Sequence, residues 1–161
     1  MKIRSVNRLY YELIDEGGQI KGTIYYKNSG YGEADISCKD KIMLVAREAG
    51  SWHSVVLQHD KWVELAQVFI GVAGNINIWT FNKKNYLFKR TGTWKIRLVL
   101  LNGIEDELVA FLPVVNWDKQ CFDYTMQLND EMVCESDIAL VLLAFHCAVY
   151  TMHMLNENLV K

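Results

Sequence analysis

Proline is almost absent: Pro113 is the single instance in 161 residues, and no Pro/Ser-rich stretch or run of like charge interrupts the chain. Such stretches separate domains, so the reading is one domain over residues 1–161. The cysteines Cys38, Cys121, Cys134 and Cys147 form no CxxC pair, which excludes a zinc ribbon or a thioredoxin-type motif and leaves reduced thiols. Excess charge is also lacking. A net charge of −2 and a pI near 6.1 give no global reason to bind nucleic acid, whose phosphates call for a basic domain or stripe. Met1 to Tyr11 carries Lys2, Arg4 and Arg8 where a secretory signal needs an apolar stretch, so a cytoplasmic protein is expected. Neither an internal repeat nor a low-complexity segment is present.

What is abundant is apolar sequence in short pieces. Hydrophobic residues make up 51% and charged residues 22%, enough to build a sizeable core. From Leu9 to Gln127, segments rich in Ile, Val, Tyr, Phe and Trp are each ended by Gly, Asn, Asp or Lys turns, which is the pattern of an all-β domain. The first pair, LYYELIDEGGQIKGTIYY, places Gly17 and Gly18 where a tight hairpin needs positive φ. EADISC, KIMLVAR, WHSVVLQ, KWVELAQVFIG, NINIWTFN, NYLFKR, WKIRLVLL, ELVAFLPVV and CFDYTMQ follow, giving roughly ten to twelve strands over about residues 3–127. Ile76 and Ile78, with Thr80, share one face. Trp94, Ile96 and Leu98 oppose Lys95 and Arg97, so one side of the sheet is buried and the other wet. Pro113 marks its strand as an edge or bulged element.

The chain changes character after Asn129. Acidic residues Asp130, Glu131, Glu135 and Asp137 precede IALVLLAFHCAVYTMHML, residues 138–155, in which 15 of 18 are apolar. This reads as a helix over about 137–156, started by Ser136 or Asp137 as N-cap with acids at its positive end. A helix apolar all round has to be buried on every side. A bilayer would do this, and 18 residues approach the length needed. However, His146, Thr151 and His153 fall inside the run and the flanks lack Lys/Arg excess, so no stable transmembrane span is expected. Strands wrapped around the helix satisfy it instead, and closure removes exposed sheet edges. The expected fold is mainly β, a closed antiparallel barrel of about 12 strands around a central hydrophobic C-terminal helix.

About a dozen short strands followed by one such helix resembles the tubby C-terminal-like superfamily, which includes tubby domains, phospholipid scramblases and plant LURP-one-related proteins. The region CFDYTMQLNDEMVCESDIALVLLAFHCAVYTMHMLNE is similar to the strand with an F-D dipeptide, acidic loop and Ala/Leu/Val/Phe-rich helix of the scramblase and LURP-one-related branches. The Pro-rich extension and cysteine cluster of eukaryotic scramblases have no counterpart here, so the resemblance implies a compact, barrel-only form.

Six of the 17 basic residues, Lys83, Lys84, Lys89, Arg90, Lys95 and Arg97, fall in NKKNYLFKRTGTWKIR, which contains no acid. Projected from neighbouring strands, they form a basic face suited to anionic phospholipid or phosphoinositide, with Trp94 or Tyr86 as interfacial anchors. Tubby domains bind phosphoinositides through a basic surface, and the resemblance implies the same here. The alternative is a solvated face whose lysines guard sheet edges.

His146 and His153 share a helical face with Tyr150, but His53 and His59 are distant in sequence, so core histidines bonded to backbone are expected rather than a metal site. Their burial would depress proton affinity. Cys121 and Asp123 have no identifiable base beside them, so no catalytic residue is assigned. Gly71-Val72-Ala73-Gly74 opens a strand rather than a helix and reads as a bend. The acidic cluster before the helix lacks EF-hand spacing.

With the helix filling the interior, no deep cavity is expected. The reading is a non-enzymatic binding module without cofactor or metal, peripheral at a membrane through its basic outer face. The alternatives are a scramblase-like membrane protein and a protein-interaction scaffold using Trp52, Trp62 or Trp117.

Overall fold

The computed structural model describes residues 1–39, 41–47, 53–58, 60–71, 74–92, 94–129 and 138–159, with side chains to Asn156. The acidic segment 130–137 with its capping residues, together with Cys134, Trp52, His59 and the turn at 48–51, lies outside the described residues.

Twelve strands form one closed antiparallel barrel, each paired with its neighbours in sequence. They are β1 (Lys2–Asn7), β2 (Tyr10–Ile14), β3 (Ile20–Tyr26), β4 (Ala34–Cys38), β5 (Lys41–Arg47), β6 (His53–Gln58), β7 (Val63–Ile70), β8 (Ile76–Thr80), β9 (Asn85–Thr91), β10 (Arg97–Leu101), β11 (Glu107–Asn116) and β12 (Cys121–Leu128). A helix, α1 (Ile138–Leu159), follows. The barrel shuts where β1 meets β12, with Ile3 opposite Tyr124. Consecutive pairing makes each connection a hairpin, so alternate turns lie at the same end of the barrel.

The turns form where the sequence permits positive φ. Gly18 (φ 82°) lies in the β2–β3 turn, where its N–H donates to the Asp15 carbonyl at 3.1 Å and the Asp15 N–H to the Gln19 carbonyl at 3.0 Å. Pro113 sits opposite Tyr124 of β12, beyond Phe111, which is the last β11 residue paired with β10. It therefore removes no donor from the β10 ladder. One expected face differs. Strand β10 begins only at Arg97, and Trp94 is exposed in the preceding turn rather than buried with Ile96 and Leu98. In β10 the outward residues Val99 and Leu101 are buried as well, packed with Ala110 and Leu87 in a small outer cluster.

Inside, residues 141–150 of α1 are buried without interruption. The span Ile138–Asn156 is long and apolar enough to cross a membrane, yet 67% of it is buried within the barrel. Phe145 anchors it. Its ring lies 5.1 Å from Tyr11, 4.9 Å from Tyr124 and 5.7 Å from Phe111, an aromatic nest contributed by β2, β11 and β12.

The central helix packs most closely on β3, β4 and β11, and Gly22 of β3 makes the approach possible. A Cβ on Gly22 would lie 2.5 Å from Leu142 Cδ1 and 2.8 Å from the Ser37 carbonyl oxygen. The Leu142 methyl can move aside, but the backbone oxygen of β4 cannot without shifting a strand. We expect Gly22→Ala to lower stability by about 1–3 kcal/mol, and Phe145→Ala to lower it by about 3–5 kcal/mol. Urea denaturation measures both, and a wild-type midpoint in Gly22→Ala would contradict the close seat.

Candidate lipid-facing end

The six basic residues of the Asn82–Arg97 segment do not form one cluster. Lys83 and Lys84 occupy the β8–β9 turn. Lys89 and Arg90 lie along β9, opposite Val99 and Leu98. Lys95 is in the β9–β10 turn at the other end of the barrel, and β9 alone separates the two ends by about 20 Å. Arg97 is committed to Glu107, with both terminal guanidinium nitrogens donating to the carboxylate. These bonds hold the guanidinium above its ordinary range. Of the two suggested anchors, Trp94 is exposed at the far end and Tyr86 is half-buried on β9.

What Lys83 and Lys84 join is a rim built from three adjacent turns. The β4–β5 turn contributes Lys39 and Lys41, the β6–β7 turn Lys61 and Trp62, and the β8–β9 turn Phe81, Lys83 and Lys84. The five lysines are exposed, and Asp60 is the acid among the described residues of these three turns, while the adjoining β10–β11 turn adds exposed Glu105 and Asp106. Apolar side chains stand between the charges. Phe81 is 79% exposed, Trp62 64%, and Ile104 in the adjoining β10–β11 turn 78%. The Lys83 φ is 63°, in a hairpin position where glycine is usual. The turn is held by the Lys83 N–H on the Thr80 carbonyl at 2.9 Å and by the Thr80 N–H on the Lys84 carbonyl at 2.9 Å.

Behind this rim the interior is open, contrary to the expectation that α1 leaves no deep cavity. A pocket of about 480 Å³ lies between the first two turns of the helix, at Ala139, Leu140 and Leu143, and the inner faces of β5 to β9. Met43, Val56, Leu65, Ala66 and Tyr86 line its wall, with Gln58, Thr80 and Asn82 toward the mouth and Lys41 and Lys84 at the rim. α1 lies closest to β3, β4 and β11, and the pocket occupies the space left between its first two turns and β5 to β9. Lys41, Lys61 and Phe81 were not singled out in the sequence, and Trp62 was named only as a scaffold residue, because the three turns are dispersed along the chain. The parity of hairpin turns was the signal that unites them.

A smaller pocket of about 160 Å³ opens at the opposite end, beside Tyr11, Tyr31, Cys121, His153 and Asn156. Cys121 is half-buried there, while Asp123 is held by Ser5 Oγ and by Asn116 Nδ2 at 2.7 Å, so the carboxylate is engaged elsewhere. Cys147 is buried in the core, and desolvation pushes its thiol up to about 12. No group of three or more His, Cys, Asp or Glu side chains converges as a metal site among the described residues. Gly71 and Gly74 bracket the β7–β8 bend, where the Gly71 N–H donates to the Asn75 carbonyl at 2.7 Å.

His146 is a core residue, stacked on Tyr26 at 5.7 Å, but its Nδ1 has no hydrogen-bond partner among the described residues, unlike the backbone-bonded histidine expected. Desolvation lowers its pKa to about 4. The unfolded chain protonates this group near pH 6.5 and the folded chain only near pH 4. Stability is therefore whole above about pH 6.5 and is lost as pH falls toward 4, by on the order of 3 kcal/mol. His146→Phe should flatten this part of the pH profile of the urea midpoint. Equal slopes in both proteins would exclude His146 as the source.

Comparisons with protein-family models, with curated proteins and with solved structures found no match to this chain.

Proposed function

We propose that the protein is a non-enzymatic binding module that docks on anionic phospholipid, phosphoinositide included, through the barrel end that carries Lys39, Lys41, Lys61, Lys83 and Lys84. The observation that carries this reading is the coincidence of three features at one end: a lysine rim, exposed Trp62, Phe81 and Ile104, and an apolar pocket behind them. Anionic headgroups attract lysines at about 1 kcal/mol each, and aromatic side chains favour the boundary between headgroups and acyl chains. This is a peripheral mode of attachment, in which α1 stays in the barrel. A spanning mode would require residues 141–150 to leave their enclosure and the Phe145 nest to be emptied. The tubby-like resemblance supports the same ligand class, although the basic surface drawn from the sequence is replaced by the rim of one end.

Flotation with vesicles of graded anionic content, at low and high salt, tests the docking. Binding is expected to rise with anionic lipid and fall with salt. Lys83→Glu/Lys84→Glu should weaken it at least twentyfold, on the basis of about fivefold per lysine lost, while Lys95→Glu at the far end should leave it unchanged. Lys83→Gly should keep or raise the unfolding midpoint, since glycine adopts that φ freely, yet still weaken flotation about fivefold. Absence of flotation on every composition would exclude lipid docking and direct attention to a protein partner.

A further inference from the structure

The pocket behind the lysine rim has a shape that narrows its occupant. It follows the inner wall across five adjacent strands, β5 to β9, an arc of about 19 Å at roughly 4.8 Å per strand. Its depth is set by two strand steps from Lys41 to Met43 and by the helix from Ala139 to Leu143, or about 7 Å. Its volume is about 480 Å³, within the range of pockets that hold small ligands. Its walls are apolar, through Val56, Leu65, Leu140 and Leu143, and its charges, Lys41 and Lys84, are at the mouth.

We propose that this pocket holds the acyl chain of a single-chain anionic amphiphile, with the chain against the apolar wall of β5 to β9 and the headgroup between Lys41 and Lys84. This deepens the docking described above and rests on the same end of the barrel. Charge complementarity decides the orientation: the anion meets the lysines, while the chain replaces water against apolar wall on both faces. A headgroup-only site would need polar groups converging at depth, and those lining this pocket, Gln58, Thr80 and Asn82, are near the turns. The chain follows the pocket laterally instead of pointing down the barrel axis, because Leu143 and the buried helix below it close the floor.

Titration of the full chain with n-alkyl phosphates from hexyl to tetradecyl, each below its micelle concentration and without vesicles, tests the pocket. Affinity is expected to rise about fourfold per added methylene and then level off when the pocket is full. Ala139→Trp, which fills the pocket from the first turn of α1, should weaken decyl phosphate binding at least tenfold. Thermal unfolding of the variant confirms that it folds, and the wild-type chain-length series stands independently of it. Binding that is absent or indifferent to chain length overturns the proposal, as does a folded Ala139→Trp variant that binds decyl phosphate like the wild type. Flotation measured in parallel reports on docking separately. Loss of flotation with the chain-length slope retained overturns docking and leaves the pocket, whereas flotation without any slope does the reverse.

Discussion

A helix with ten consecutive residues that must all be kept from water is the constraint on which the rest of the molecule depends. No surface layer can bury every side of such a helix. Twelve short antiparallel strands can, provided that they close, and closure also removes the sheet edges that would otherwise recruit other chains. The seam between β1 and β12 is therefore part of the helix's environment. Tyr124 of β12 and Tyr11 of β2 meet Phe145 on either side of it. Barrel and helix are best regarded as one cooperative unit, because neither buries its apolar face without the other.

Where the helix sits within that unit has consequences for what the surface can do. α1 lies closest to β3, β4 and β11, and a pocket remains between its first two turns and the inner faces of β5 to β9. The turns above that pocket are the ones that carry lysine and exposed aromatic side chains. Lys83 has positive φ, as do five other non-glycine residues among those described, Tyr31, Lys39, Trp62, Glu105 and Gln120, so this conformation belongs to the turns generally. An apolar pocket beneath a basic rim is the arrangement on which the proposed lipid docking rests, and it is formed by the packing of several turns and α1 rather than by a motif.

Much of the fold was legible in the sequence. Alternation such as Ile76 and Ile78, turn residues such as Gly18, and the unbroken apolar run of the helix are local signals, and each corresponds to an element observed. The boundary of β10 was less legible: WKIRL alternates as a strand should, yet Trp94 belongs to the turn, because the β9 ladder ends opposite Arg97. The candidate site was legible only in part. Lys83 and Lys84 were named for their neighbours in sequence, but the other residues of the rim, Lys41, Lys61 and Trp62, come from other turns. Arg97 read as a free cation because Glu107, which neutralises it, follows ten residues later on the next strand. The pocket could not be read at all, since it depends on how the first two turns of α1 pack against β5 to β9.

The enclosure of the helix is tested most directly by hydrogen exchange at the amides of residues 141–150, in aqueous buffer and again with anionic vesicles present. Protection equal to that of global unfolding, and unchanged by vesicles, is the expected result. Rapid exchange in buffer, or a change in these amides' protection when vesicles are added, would contradict it and would show a helix that leaves the barrel for the bilayer.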